Sequence, residues 1–127
     1  MYTMHDINAK LALARAARLS GWRLLENRER ARSVCNGIGA WWMPDKVRKL
    51  IGTMAPDLVI VADIHDLRCE TGGRWYTRWA VDFEFFLNGV RMALYRRRPR
   101  VILQALRCWF FLIVGSWTAF RYRHKRR

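Results

Sequence analysis

Gly72-Gly73 stands between two apolar segments of helical length, and no other feature of the chain constrains its fold as much. Before the pair, Pro56 opens a segment whose run Leu58-Val59-Ile60-Val61-Ala62 is dense enough to be buried. Its β-branched content would also suit a strand, but its length up to the glycines favours a helix over 56–69. After the pair, Trp75, Trp79, Phe83, Phe86 and Val90 recur at a three-to-four spacing. This predicts a helix from Arg74 to about Arg96, with the pattern broken at Pro99. A tight turn at the glycines folds the second helix back antiparallel on the first. The aromatic stripe reads as core, with a lipid groove as the alternative.

The remaining segments are also helical or loop-like. Ile7, Leu11, Ala14, Leu19, Trp22, Leu24 and Leu25 predict one amphipathic helix over 7–32, bent at Ser20-Gly21 and capped by Asp6 or Asn8. Val34 to Trp42 holds Asn36-Gly37-Ile38-Gly39 and is too glycine-rich for a helix, so it reads as a loop. Pro44-Asp45 suits the first turn of a short helix over 44–53. Val101 to Phe120 is mostly apolar, with Gln104 and Arg107 near its start and arginine clusters on both sides. The expected fold is all-α. A small helical domain (1–97) contains an antiparallel two-helix unit and a Gly-rich loop, and an apolar helix with a basic tail follows (98–127).

Charge narrows the partners. The formal net charge is +14, and residues 96–127 carry ten Lys/Arg and no Asp/Glu. Residues 57–95 instead carry six acids against four bases, so the acids gather around His65. Such a chain attracts an anionic partner, a phospholipid surface or a nucleic acid. The apolar stretch 101–120 is hard to explain on a nucleic-acid reading. It is long enough to span a bilayer, suited to lie in the interface with its basic ends on anionic headgroups, and equally able to pack against the domain or another subunit. Three well-separated cysteines, Cys35, Cys69 and Cys108, form no disulfide framework and lack zinc spacing, which points to free thiols made in a reducing cytoplasm. His5, Asp6, Asn8 and Lys10 leave no room for a signal peptide in the first ten residues.

The chemistry gathers around His65-Asp66. Asp82 lies nine residues past Gly73 and His65 seven before Gly72, which sets them at comparable heights on facing helices. Asp82 can then accept a hydrogen bond from one imidazole nitrogen and leave the other as general base. Asp66 can offer oxygens to a hard cation, and the loop Cys35–Gly39 can add backbone carbonyls. His5-Asp6 has no such partners and reads as a solvated pair.

This arrangement resembles the phospholipase A2 superfamily, in particular its small bacterial and phage-type sequences. The matching residues are Asn36-Gly37-Ile38-Gly39, then Met43-Pro44-Asp45, then His65-Asp66, Gly72-Gly73, Arg78 and Asp82, with the spacing from His65 to Asp82 kept without a gap. The likeness covers about residues 35–90. Cys69 stands where the family usually has Tyr.

The resemblance implies a calcium-dependent esterase that cleaves the sn-2 ester of glycerophospholipids. His65 would be the base and Asp82 its orienting partner. Asp66 and the carbonyls of Cys35, Gly37 and Gly39 would hold Ca2+. Arg78 either pairs with an acid in the two-helix unit or contacts the lipid phosphate. Trp41-Trp42, beside the loop, suits either insertion at a headgroup interface or core packing. A membrane-associated hydrolase is one outcome. The other is a non-catalytic protein of the same fold, a membrane-active or structural phage particle component that uses 98–127 to engage membrane or a homo- or hetero-oligomeric neighbour.

Overall fold

The computed structural model describes residues 3–35 and 56–115, apart from the side chains of residues 75, 111, 112, 114 and 115. The all-α expectation holds, and the described residues contain no strand. They form α1 (Met4–Ala16), a 3₁₀ turn (Trp22–Glu26), α2 (Arg28–Val34), a 3₁₀ turn (Pro56–Leu58), α3 (Val59–Thr71), α4 (Trp75–Arg96) and α5 (Arg100–Gly115). The helix expected over 44–53 lies outside the described residues, as do Trp41, Trp42 and the loop glycines Gly37 and Gly39.

The single helix expected over 7–32 is instead three elements. Thr3, not Asp6 or Asn8, is the N-cap of α1: its hydroxyl accepts from the Asp6 N–H, and the Asp6 carboxylate accepts from the Thr3 N–H at 2.8 Å. This reciprocal pair holds the Asp6 carboxyl below its usual range, chiefly through the Thr3 backbone bond, so Asp6 serves in the cap at the surface beside an exposed His5. Helix α1 then ends in a Schellman turn. Leu19 N–H bonds Ala14 C=O at 2.9 Å and Arg18 N–H bonds Arg15 C=O at 3.2 Å, with Arg18 in the left-handed region (φ 57°). Glycine is usual there. An arginine gives no such signal in the sequence, and the apolar period runs on past the break. Asn27 restarts the helix by accepting from Arg30 N–H.

Helix α3 ends at Gly72, where φ is 73° and the N–H bonds Arg68 C=O. The reversal lays α4 against α3. Helix α5 crosses α4 where Gly89 meets Ala105: a β-carbon on Gly89 would sit 2.4 Å from that of Ala105, so only glycine lets the two backbones approach so closely. The core joins Ile7 and Leu25 to Leu58, Ile64 and Leu67 of the middle segment and to Met92 and Val101 of the last two helices. Each such side chain contributes about 1.5–3 kcal/mol on burial. Val101 and Ala105 thus belong to the same core as the helices before them.

The aromatic stripe of α4 departs from its core reading. Trp79 and Phe83 are about half exposed, whereas Val81, Phe85 and Met92 face inward. Helix α4 is apolar on two opposed faces, and periodicity alone does not say which one the core takes. Two polar ties fix the inner face. Asn88, buried, accepts from Ser20 N–H at 2.8 Å and donates to Ser20 C=O at 2.9 Å. Lys10 reaches the fully buried Asp63 at 2.7 Å, joining α1 to α3.

Candidate active site

His65 projects from α3 and Asp82 from the second turn of α4, both buried, at 6% and 1% exposure. Nε2 of His65 lies 2.8 Å from Oδ1 of Asp82. A carboxylate only accepts, so Nε2 carries the proton and Nδ1 is left with its lone pair. Phe85, one turn further along α4, meets the imidazole edge-to-face at 5.7 Å and closes off its side. The residues that create this geometry are apolar: Ile64 and Leu67 seat α3, and Val81 and Phe85 seat α4 on it.

Arg78 points at the same acid. Its Nε lies 3.9 Å from Asp82 Oδ2, one helical turn away, and its guanidinium also donates to the backbone carbonyl of Ile113 on α5. Of its two expected roles, the structure displays the pairing with an acid. Asp82 is therefore held between an imidazole and a guanidinium, with α5 tied to the same group.

Cys69 follows His65 by one turn of α3. Its Sγ is 3.6 Å from Nδ1 and 3.8 Å from Nε2. Burial, then the charges of Asp66 and Asp82, raise this thiol well above its usual range, against a smaller opposing effect of Arg78. It is a neutral S–H, a weak donor, beside the ring nitrogen that does not face Asp82.

Asp66 is half-buried, and its negative charge adds to the larger effect of burial in raising the thiols of both Cys35 and Cys69. Cys35 closes α2 in an extended conformation and leads directly into residues 36–39. Its thiol donates to Asp63 C=O at 3.5 Å, and burial pushes it far above the usual thiol range. The described part of the expected metal site is thus one carboxylate and the residue that starts the loop. Among the described residues, no cluster of three or more His, Cys, Asp or Glu is arranged to hold a metal ion. The expected set draws mostly on backbone carbonyls, and those of Gly37 and Gly39 lie outside the described residues, as does any substrate contact of Trp41 and Trp42.

The outer faces of α4 and α5 form the other notable surface. Tyr76, Trp79, Phe83, Leu87 and Leu94 fall within an arc of about 80° on α4, opposite the buried side. Leu103, Leu106 and Phe110 do the same on α5, Phe110 being 68% exposed. Trp109 stacks on Phe86 at 5.0 Å and leans on Phe83 at 5.8 Å, which makes the two stripes continuous. Exposed Arg91, Arg100 and Arg107 lie beside them by helical spacing, and Arg96 and Arg98, at the turn between the helices, pair with Asp57. Among the described residues, no helix is long and apolar enough to cross a membrane. The chain matches no protein-family model, no curated protein and no solved structure.

Proposed function

We propose that this protein is a calcium-dependent, phospholipase A2-like hydrolase that cleaves the sn-2 ester of glycerophospholipids at an anionic membrane surface. The observation that carries the reading is the buried His65–Asp82 pair, with Nε2 committed to the carboxylate and Nδ1 left basic, and with Asp66 next in the chain. Nδ1 takes a proton from a water as that water's oxygen bonds to the ester carbonyl carbon. Asp82 stabilises the resulting imidazolium through Nε2–H, and Arg78 holds Asp82 in place. The imidazolium then gives its proton to the glycerol oxygen as the sn-2 C–O bond breaks, releasing fatty acid and lysophospholipid. Asp66 with the carbonyls of Cys35, Gly37 and Gly39 would hold calcium, which when bound supplies positive charge to the lipid phosphate and to the developing oxyanion.

The apolar outer face of α4 and α5 supports the membrane partner. It is bordered by arginines and, on α5, by no acid at all, the pattern of a surface that inserts side chains among anionic headgroups. A second copy of a chain with net charge +14 would meet this face with repulsion. The free cysteines Cys35, Cys69 and Cys108 suit synthesis in a reducing compartment.

One observation favours a second reading. The Cys69 thiol lies against the very nitrogen that would act as base, where the family pattern has a phenol. A chain that kept the fold and lost the reaction would be a membrane-active or structural component, and virion association would follow from the phage-type resemblance. Fatty-acid release from vesicles containing phosphatidylglycerol, measured with calcium and with chelator for wild type and His65→Gln, separates the two. Calcium-dependent release that His65→Gln abolishes is expected. No release under any condition, with vesicle binding intact, would replace the hydrolase by the second reading.

A further inference from the structure

A second polar centre lies away from His65, where the end of α1, the turn at residues 18–21 and the first 3₁₀ turn meet α3 and α4. An open cavity of about 550 Å³ there is lined by Arg15, Arg18, Arg23, Arg68 and Arg91, with Trp22 in one wall and no Asp or Glu among the lining residues. Five guanidinium groups around one space repel one another unless something negative lies between them.

Four of the five groups are held rather than splayed. Arg15 and Arg23 stack on Trp22, 5.4 and 5.3 Å from its ring centre. Arg68 donates to both oxygens of Glu84, at 3.1 and 3.2 Å, and Glu84 also accepts from the Ser20 hydroxyl at 2.7 Å. Arg91 donates to Arg18 C=O at 2.6 Å. Asn88 clamps Ser20 from below by two hydrogen bonds, fixing the turn that carries Arg18. Arg18 itself keeps a left-handed backbone at a position where glycine would be easier. Arg68 uses two of its five N–H donors and Arg91 one on these supports, and both have others to offer, while the stacked Arg15 and Arg23 keep their N–H edges for a ligand.

We propose that this cavity is a binding site for a phosphate-bearing anion, either a lipid headgroup or a free phosphate compound. A carboxylate offers two oxygens in one plane. A phosphate offers three or four around a tetrahedral centre, which suits guanidinium groups converging from several elements and accepts bidentate pairs from more than one of them. The volume leaves room for the organic group that the phosphate carries, with the Trp22 ring beside it. The site shares no residue with the His65–Asp82 pair, so it stands whether or not the protein is a hydrolase.

Calorimetric titration of the full chain with inorganic phosphate at physiological ionic strength tests the site. Saturable binding is expected, weakened about 10-fold or more in Arg18→Gln/Arg91→Gln, since each lost charge-assisted contact is strong. The charge-matched pair Arg28→Gln/Arg32→Gln, on exposed α2 positions, is expected to bind within about twofold of wild type, as surface charge alone contributes little. If the first variant does not fold, Arg15→Gln/Arg23→Gln carries the same comparison. Vesicles of phosphatidylglycerol then distinguish the sources: release of bound protein by excess phosphate, and loss of binding in the cavity variant, identify a headgroup. Vesicle binding that phosphate and the variant leave untouched, with phosphate binding still lost in the variant, identifies a free phosphate compound. Absence of saturable phosphate binding to wild type, or an equal loss in the charge-matched pair, overturns the proposal.

Discussion

Asp82 has two jobs that a single substitution separates. As an acceptor it sets the His65 tautomer, and as an anion it satisfies Arg78. Asp82→Asn keeps the size of the side chain but can present an N–H to Nε2, which moves the ring proton to Nδ1 and removes the base. Fatty-acid release by this variant is expected to fall by about 10²–10⁴-fold, the usual contribution of a positioned base, while far-ultraviolet dichroism stays that of a folded chain. Cys69 makes the opposite kind of prediction. Its raised thiol carries little thiolate at neutral pH, so alkylation of Cys69 in the native chain, followed by mass spectrometry, should be far slower than in urea. Equal rates would mean that the thiol is neither buried nor held beside the imidazole. The residue scale also includes a cost. Arg18 in the left-handed region is strained by roughly 1–2 kcal/mol, so Arg18→Gly should raise the thermal midpoint even as it removes a guanidinium from the arginine-lined cavity.

Helix ends and crossings decide the next scale. The cap of α1 works only while Asp6 is ionised, and the folded chain holds that carboxyl below its unfolded value of 3.8. The sign follows: the cap's contribution is complete above the unfolded value and disappears as pH falls through the lower, folded one. The Asp6 carboxyl resonance should therefore titrate below 3.8, and Thr3→Pro, which lacks the N–H that lowers it most, should return it towards 3.8. A titration that Thr3→Pro leaves unmoved would deny the capping box. At the crossing of α4 and α5, Gly89→Ala forces the helices apart and should cost about 1–3 kcal/mol in urea unfolding. Adding Ala105→Gly returns the space and should recover most of that loss. Recovery is the decisive part, because a simple propensity effect would make Gly89→Ala stabilising and a second glycine harmful.

Over the whole molecule, one side is a helical core around a buried dyad and the other an apolar face bordered by arginine. Truncating the chain at residue 98 is a poor test of that face, because Val101 and Ala105 are core residues and their loss would expose Leu58 and Met92. Point changes are cleaner. Leu94→Ser/Phe110→Ser removes the two most exposed apolar side chains of that face, and should weaken binding to phosphatidylglycerol vesicles by about 10-fold or more, read by co-sedimentation, with little change in the thermal midpoint. Unchanged sedimentation would take the membrane off this face.

Much of this molecule is local, and what is local was readable. Gly72-Gly73 with helical periods on both sides dictates an antiparallel helix pair, and fixed rise per residue puts His65 opposite Asp82 whatever the rest of the chain does. The break at residues 17–21 was hidden, since its left-handed residue is an arginine and its hydrogen bonds look like those of any helix end until the chain turns. Which face of α4 is core was also not in the sequence: both faces are apolar, and the choice is made by α3, α5 and Ser20, whose partner Asn88 is 68 residues away. The arginine-lined cavity is the extreme case. Arg15, Arg18 and Arg23 are ordinary helix-spaced cations until Arg68 and Arg91 arrive from distant helices. Spacing along one helix or across one turn is set by covalent geometry, so the sequence by itself determined the paired helices α3 and α4 and the His65–Asp82 register. Contacts between segments far apart in the chain depend on how whole helices pack, and only the tertiary structure decided the exposed face and the convergence of five arginines.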